Sequence, residues 1–158
     1  MERPRAESMT IYTRTEAETE AAGAALAERL SPGAVVALYG DLGAGKTCFV
    51  RGMARGMGIG VRVSSPTFTI VNEYRAAPGT EGKVQELFHF DMYRLSSADE
   101  LFDIGWEDYL RRGAVCAVEW SENVEDAFEG DEITVRISMG EDLPDGTRKI
   151  EIGGGAVC

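Results

Sequence analysis

Residues Gly40-Asp41-Leu42-Gly43-Ala44-Gly45-Lys46-Thr47 satisfy the pattern G-x-x-x-x-G-K-[ST], and their neighbours give the pattern physical meaning. The apolar run Val35-Val36-Ala37-Leu38-Tyr39 precedes them and has the length of a strand. After them, Phe49, Val50, Met53, Ala54 and Met57 recur at the spacing of one helix face. A loop of this kind joins a buried strand to a helix N-terminus. Its glycines let backbone wrap closely around a polyphosphate. Successive N–H groups and the positive end of the helix dipole then face the anion. Lys46 is placed to reach the β and γ phosphates and Thr47 to offer its hydroxyl to Mg²⁺. The alternative, a glycine-rich turn that matches by chance, does not account for strand, helix and Lys-Thr pair together. The stretch points to a nucleoside triphosphate.

At 158 residues the chain is expected to form a single domain, with 1–9 and 153–158 frayed. No segment approaches the ~18 continuous apolar residues that span a membrane. The first residues, Met1-Glu2-Arg3-Pro4-Arg5-Ala6-Glu7, lack the apolar centre of a signal peptide, so a cytoplasmic protein is expected. The net charge of −11 argues against a large autonomous nucleic-acid surface and reads most simply as solubility. Cys48, Cys116 and Cys158 are far apart and lack metal-ligand spacing, and His89 is the single histidine, so a structural zinc site is not expected. Cys48 and Cys116 read as small hydrophobes.

Along the chain, Ile11-Tyr12-Thr13 suggests a short strand, and Thr15-x-x-Glu18 a capping box that opens an Ala-rich helix ended by Ser31-Pro32-Gly33. Gly56, Gly58 and Gly60 close the helix after the loop. Residues 61–74 begin as loop and end as strand, 76–83 have turn composition, and 84–94 read as a strand carrying His89-Phe90-Asp91. Ser97-x-x-Glu100 predicts a capping box opening a helix with Phe102, Trp106 and Tyr109 on one face. Ala114-Val115-Cys116-Ala117-Val118 is a buried strand ending at Glu119-Trp120. The alternations in 131–139 and 148–152, around Leu143-Pro144-Asp145-Gly146, predict an antiparallel hairpin. The expected fold is a three-layer α/β P-loop domain with a mixed, mainly parallel sheet and a C-terminal antiparallel hairpin.

Such a loop needs a second acidic group for the metal or its water shell and a group that positions the nucleophile. Glu119 directly follows an apolar strand, at the carboxyl end where ligands of α/β sheets bind, and reads as a group at Mg²⁺ or at the attacking water. Asp91 sits late in its strand and reads as a second such group; the alternative is a structural salt bridge or hydrogen bond near Arg94. Thr67, in Ser64-Ser65-Pro66-Thr67, could sense a γ-phosphate or belong to an ordinary proline-anchored turn. His89 reads as a structural residue and Trp106 as core, while Trp120 lines either the nucleotide site or a partner surface. A small GTPase is disfavoured, because no N-K-x-D occurs and no Asp is followed by Gly three positions on. A small-molecule kinase lacks an evident lid here: the one adjacent arginine pair is Arg111-Arg112, with no long insertion.

The loop, Ser65-Pro66-Thr67-Phe68-Thr69, Val71-Asn72-Glu73-Tyr74, His89-Phe90-Asp91-Met92-Tyr93-Arg94-Leu95 and Val118-Glu119-Trp120 occur in an order and spacing that resembles the TsaE (YjeE) family. That resemblance covers nearly the whole chain. It implies a cytoplasmic ATPase that binds ATP with Mg²⁺ and works with TsaB and TsaD. TsaD transfers a threonylcarbamoyl group to N6 of the adenosine beside the anticodon of ANN-decoding tRNAs, and TsaE supports the turnover of that machinery. On this resemblance Asp41, Leu42, Gly43, Ala44, Gly45, Lys46 and Thr47 hold the nucleotide, with Trp120 beside the metal site. Thr47 and Glu119 are the Mg²⁺ ligands, and Lys46, Asp91, Glu119 and Thr67 are the catalytic set. The tRNA is reached through the partners, with no tight direct nucleic-acid binding and no membrane. Two positions depart from the family: Cys48 where a second threonine is common, and Ser121 where proline is common. A small-molecule kinase and a binding module switched by ATP occupancy stand as alternatives.

Overall fold

The structure, a computed structural model, describes residues 5–156 except 42, 65, 67–69, 83 and 141. Leu42 and Thr67, with Ser65, Phe68, Thr69 and Cys158, therefore lie outside the described residues. The elements are β1 (Arg5–Thr13), α1 (Glu16–Ala27), β2 (Val35–Tyr39), α2 (Lys46–Gly56), β3 (Val71–Arg75), β4 (Glu86–Asp91), α3 (Ala98–Asp103), α4 (Trp106–Arg111), β5 (Val115–Glu119), β6 (Ile133–Ser138) and β7 (Arg148–Ala156), with two 3₁₀ turns, Ser121–Asn123 and Glu125–Ala127, between β5 and β6. The seven strands form one sheet in the order β1-β7-β6-β2-β5-β4-β3. β6, β2, β5 and β4 are mutually parallel, and the outer pairings β1/β7, β7/β6 and β4/β3 are antiparallel. The fold is thus the α/β architecture with a mixed sheet that the sequence predicts.

Period-two alternation along the central strands divides the core between two faces. On β5, Val115 and Ala117 join the cluster under α1 and α2, with Phe49, Met53 and Leu26. Cys116 and Val118 join the cluster on the other face, with Phe88, Phe90, Leu101 and Trp106. Helices therefore cover both faces, as an inner parallel sheet requires. α1 opens as predicted: Thr15 Oγ1 accepts from Glu18 N–H at 3.1 Å. It then packs against α2 at glycine crossings. A Cβ on Gly23 would collide with the Phe49 carbonyl oxygen, and one on Gly52 with that of Glu20. This contact fixes the position of α2, the helix that carries Lys46 and Thr47.

Four expectations need correction. The predicted helix with Phe102, Trp106 and Tyr109 on one face is two short helices, broken where Gly105 adopts φ 97°. The break turns Trp106 into the core at 1% exposure and leaves Phe102 at 41%. Ser97 makes no side-chain cap; Glu100 instead accepts from Ser96 Oγ at 2.9 Å. β4 ends at Asp91 rather than running on towards Arg94, because Tyr93 N–H turns back to Asp91 Oδ1 at 3.0 Å and Met92 N–H crosses to the Glu119 carbonyl at 3.0 Å. Within the ends expected to fray, the described residues form strands: β1 pairs with β7 between Arg5 and Ala156, and Gly154 (φ 69°) sits where the register shifts. The glycines of 153–155 serve an irregular strand, in which a side chain at Gly154 would press on the Glu132 carbonyl.

Candidate functional site

The carboxyl ends of the parallel strands converge on the 40–47 loop. Gly43 (φ 82°) and Gly45 (φ 111°) hold left-handed conformations that an L side chain resists, and Gly45 immediately precedes the first turn of α2. Ala44 N–H bonds to the Asp41 carbonyl at 3.0 Å and Phe49 N–H to the Gly45 carbonyl at 2.9 Å, which closes the loop onto the helix. Asp41 is exposed at its mouth and Ala44 is buried. Lys46 is buried, donates to the Gly40 carbonyl at 2.5 Å, and lies with Nζ 3.7 Å from the centroid of the Trp120 ring. Desolvation lowers the Lys46 ammonium below its ordinary range; Glu119, Glu122, Asp91 and Asp41 oppose that by attraction.

Thr47 and Glu119, far apart in sequence, meet here. Glu119 ends β5 in register with Leu38 of β2 and Asp91 of β4. The Thr47 hydroxyl lies 2.9 Å from Glu119 Oε2 and 3.2 Å from Oε1, and donates to that carboxylate. Behind it, the fully buried His89 donates from Nε2 to Glu119 Oε2 at 2.5 Å, while His89 Nδ1 is buried with no hydrogen-bond partner among the described residues. Asp91 is half-buried. Burial raises its carboxyl above the ordinary carboxylate range, while the Tyr93 N–H bond, His89 and Lys46 pull it back and Glu119 adds to the rise. No ion pair with Arg94 forms among the described residues; the backbone of Tyr93 takes that place.

Trp120 adopts φ 58°, the one described non-glycine residue with positive φ, and this turns its ring across Lys46 and against Tyr93, at 5.1 Å between centroids. It lines a cavity of about 360 Å³ with Gly40, Asp41, Arg136 and Met139. A second cleft, of about 240 Å³, lies between Arg14, Thr15, Gly43, Gly45, Cys48 and Arg148. Arg148 on β7 donates from Nε to the Ala44 carbonyl at 2.9 Å, bracing the loop from the hairpin. Cys48 donates from Sγ to the Glu16 carbonyl at 3.4 Å, and burial pushes its thiol up, so it packs rather than reacts.

The structure thus brings together Lys46, Thr47, Asp91, Glu119 and Trp120, with Asp41, Gly43, Ala44 and Gly45 along the loop. His89 and Arg148 are the members that sequence reasoning missed. His89 had one signal, its position two residues before Asp91 on one strand face; Arg148 had none. Among the described residues no three His, Cys, Asp or Glu side chains form a metal cage. A hydroxyl and a carboxylate in contact suit a hard cation that keeps waters and takes its other ligands from phosphate, as Mg²⁺ does.

The family model described as "Threonylcarbamoyl adenosine biosynthesis protein TsaE" matches residues 13–150. The chain belongs to the TsaE family. Relatives named tRNA threonylcarbamoyladenosine biosynthesis protein TsaE include that of Treponema pallidum, 41% identical over 144 residues and covering 91% of this chain and 99% of the relative. The Bacillus subtilis relative is 40% identical over 125 residues, 79% of this chain and 74% of its own. The crystal structure of Bacillus subtilis YdiB superposes with a TM-score of 0.72 at 30% identity, over 94% of this chain and 86% of that one. The TsaE match spans the loop, β4, β5 and the hairpin to Ile150, so every site residue named above lies inside it. No helix among the described residues is long and apolar enough to cross a membrane.

Proposed function

We propose that the chain is the ATP-binding and ATP-hydrolysing component of tRNA threonylcarbamoyladenosine synthesis, acting in the cytoplasm with TsaB and TsaD. One observation carries this reading: the Thr47 hydroxyl and the Glu119 carboxylate, 2.9 Å apart, stand at the helix end of a glycine loop beside Lys46. Backbone N–H groups of the loop and first turn of α2 receive the phosphates, and Lys46 leaves the Gly40 carbonyl for the β and γ oxygens. Thr47 and Glu119 would hold Mg²⁺, which draws charge from the phosphate oxygens when bound. Asp91, whose raised carboxyl suits proton transfer, orients the attacking water and takes its proton. Trp120 screens this end of the site from solvent. The cleft of Arg14, Thr15, Cys48 and Arg148 shares the loop but none of Asp91, Glu119 or Trp120, and takes the nucleoside. Loop residues Leu42 and Thr67 belong to the same expectation.

Lys46 is the cation drawn towards Glu119 and Asp91, Arg148 is engaged with the Ala44 carbonyl, and among the described residues no arginine pairs with Asp91 or Glu119. A missing arginine can be worth about 10³–10⁵ in rate, so the TsaB–TsaD assembly supplies or orders the group that completes the transition state. The tRNA is reached through that assembly. The test is γ-phosphate release from Mg²⁺-ATP by the chain alone and with TsaB, TsaD and tRNA. Slow release that rises sharply with the partners, and is abolished by Lys46→Ala, is expected. Release indifferent to the partners would overturn the reading in favour of a small-molecule kinase. A Glu119→Ala variant that binds ATP and sustains many rounds of modification would favour a switch that needs no hydrolysis.

A further inference from the structure

α2 begins at the phosphate loop and runs eleven residues, which places its last turn about 15 Å away along the axis. There, α2 and the segment after it enclose a groove of about 450 Å³ that the nucleotide chemistry does not use. Three of its lining side chains are arginines, Arg51, Arg55 and Arg62, against one carboxylate, Glu20. Glu20 serves two of them, Arg55 at 3.0 Å and Arg51 at 3.8 Å, and no ion pair of Arg62 is formed among the described residues. The groove therefore carries a positive surplus in a chain of net charge −11. Arg51 is held in place, since its Nε donates to the Val63 carbonyl at 3.3 Å. Beside the arginines, Val61 stands 62% exposed over buried Ile59 and Val63. Charge and apolar surface thus share one concave face, whereas an isolated surface arginine would need no apolar companion.

We propose that this groove docks a short acidic segment of a partner protein, one in which carboxylates alternate with an apolar side chain. Guanidinium forks pair with carboxylates in two-point geometry, and Val61 offers the apolar anchor. A nucleic-acid backbone fits less well. It would extend its charge for many ångströms across a surface that is acidic overall, within the ~8–10 Å reach of unscreened repulsion. A short segment brings its carboxylates to the arginines and stops. The proposal stands independently of the nucleotide reading.

The test is fluorescence anisotropy of a dye-labelled peptide in which glutamate and leucine alternate, titrated with the full chain at low and at physiological salt. Saturable binding that weakens with salt is expected, with Arg55→Glu and Arg62→Glu each costing about three- to tenfold in affinity. Val61→Ser weakens binding at both salt concentrations. Arg62→Glu is the decisive variant, because no ion pair among the described residues depends on it; its thermal midpoint and nucleotide affinity stay unchanged. Absence of saturable binding, or binding indifferent to Arg62→Glu, would overturn the proposal. So would displacement of the peptide by an oligouridylate that binds more tightly, which would assign the groove to RNA phosphate.

Discussion

Replacing His89 by leucine asks whether Glu119 is held from behind. His89 is fully buried and Glu119 is 4% exposed, so the 2.5 Å bond between them lies away from solvent. The other bond to that carboxylate described above comes from the Thr47 hydroxyl at 2.9 Å. Losing a hydrogen bond to a charged group costs about 1.5–3 kcal/mol, and leaving the buried carboxylate short of a donor adds about 1–3 kcal/mol. Leucine also removes Nδ1, a buried polar atom with no partner among the described residues, and relieves a desolvation cost of about 1–3 kcal/mol. The net loss is then about 1–3 kcal/mol, a sizeable part of the ~5–15 kcal/mol that holds an ordinary domain. Urea unfolding of His89→Leu, Glu119→Gln and the double variant measures it. In the Glu119→Gln background the His89 change costs at least about 1 kcal/mol less, because the charge it served is gone. Mg²⁺-dependent nucleotide binding weakens more than metal-free binding. A cycle that closes additively within about 0.3–0.5 kcal/mol would refute the coupling.

Gly52→Ala is expected to cost about 1–3 kcal/mol by urea unfolding, since the new methyl meets the Glu20 carbonyl and α1 must move off α2; an unchanged midpoint would mean the crossing is slack. Asp91→Asn tests the raised carboxyl. A folded-state pKa above the unfolded value of about 4 means that stability falls as pH rises through that interval and stays lower at neutral pH. The amide keeps the bond from Tyr93 N–H without the charge, so the thermal midpoint of the ligand-free protein rises by about 1–3 °C at neutral pH and not at strongly acidic pH, while ATP hydrolysis is lost. Equal midpoints at both pH values would refute the burial argument.

The sheet, the loop and the two faces of the core follow from signals carried within a few residues: strand alternation, the helix stripe after Lys46, and the run at β5. Glu119 was legible for the same reason, since the end of an apolar parallel strand is where ligands bind. His89 was not, because its meaning lies in register. β4 and β5 bring it beside a residue thirty positions on, and local sequence does not state which strands are neighbours. Arg148 reaches Ala44 from 104 residues away and depends on where the hairpin lands. Gly105 misled in the opposite sense: the apolar spacing across it fits one helix, and only the left-handed backbone at that point turns Trp106 inward and Phe102 outward. The glycines near residue 153 read as a tail because the sequence does not show that β1 waits to pair with them.

That last pairing has a consequence for how the chain is made. β1 leaves the ribosome before every other described strand, yet its sheet neighbour is β7, which emerges after all of them. β7 also sits between β1 and β6, so no other strand can take β1 in beforehand. Until β7 has emerged, β1 carries unpaired backbone groups, a ready template for association with other chains. The parallel centre, from β2 to β6, can assemble around α2 while this strand hangs free, and the sheet closes in a final step joining strands far apart in sequence, the kind of contact that forms slowly.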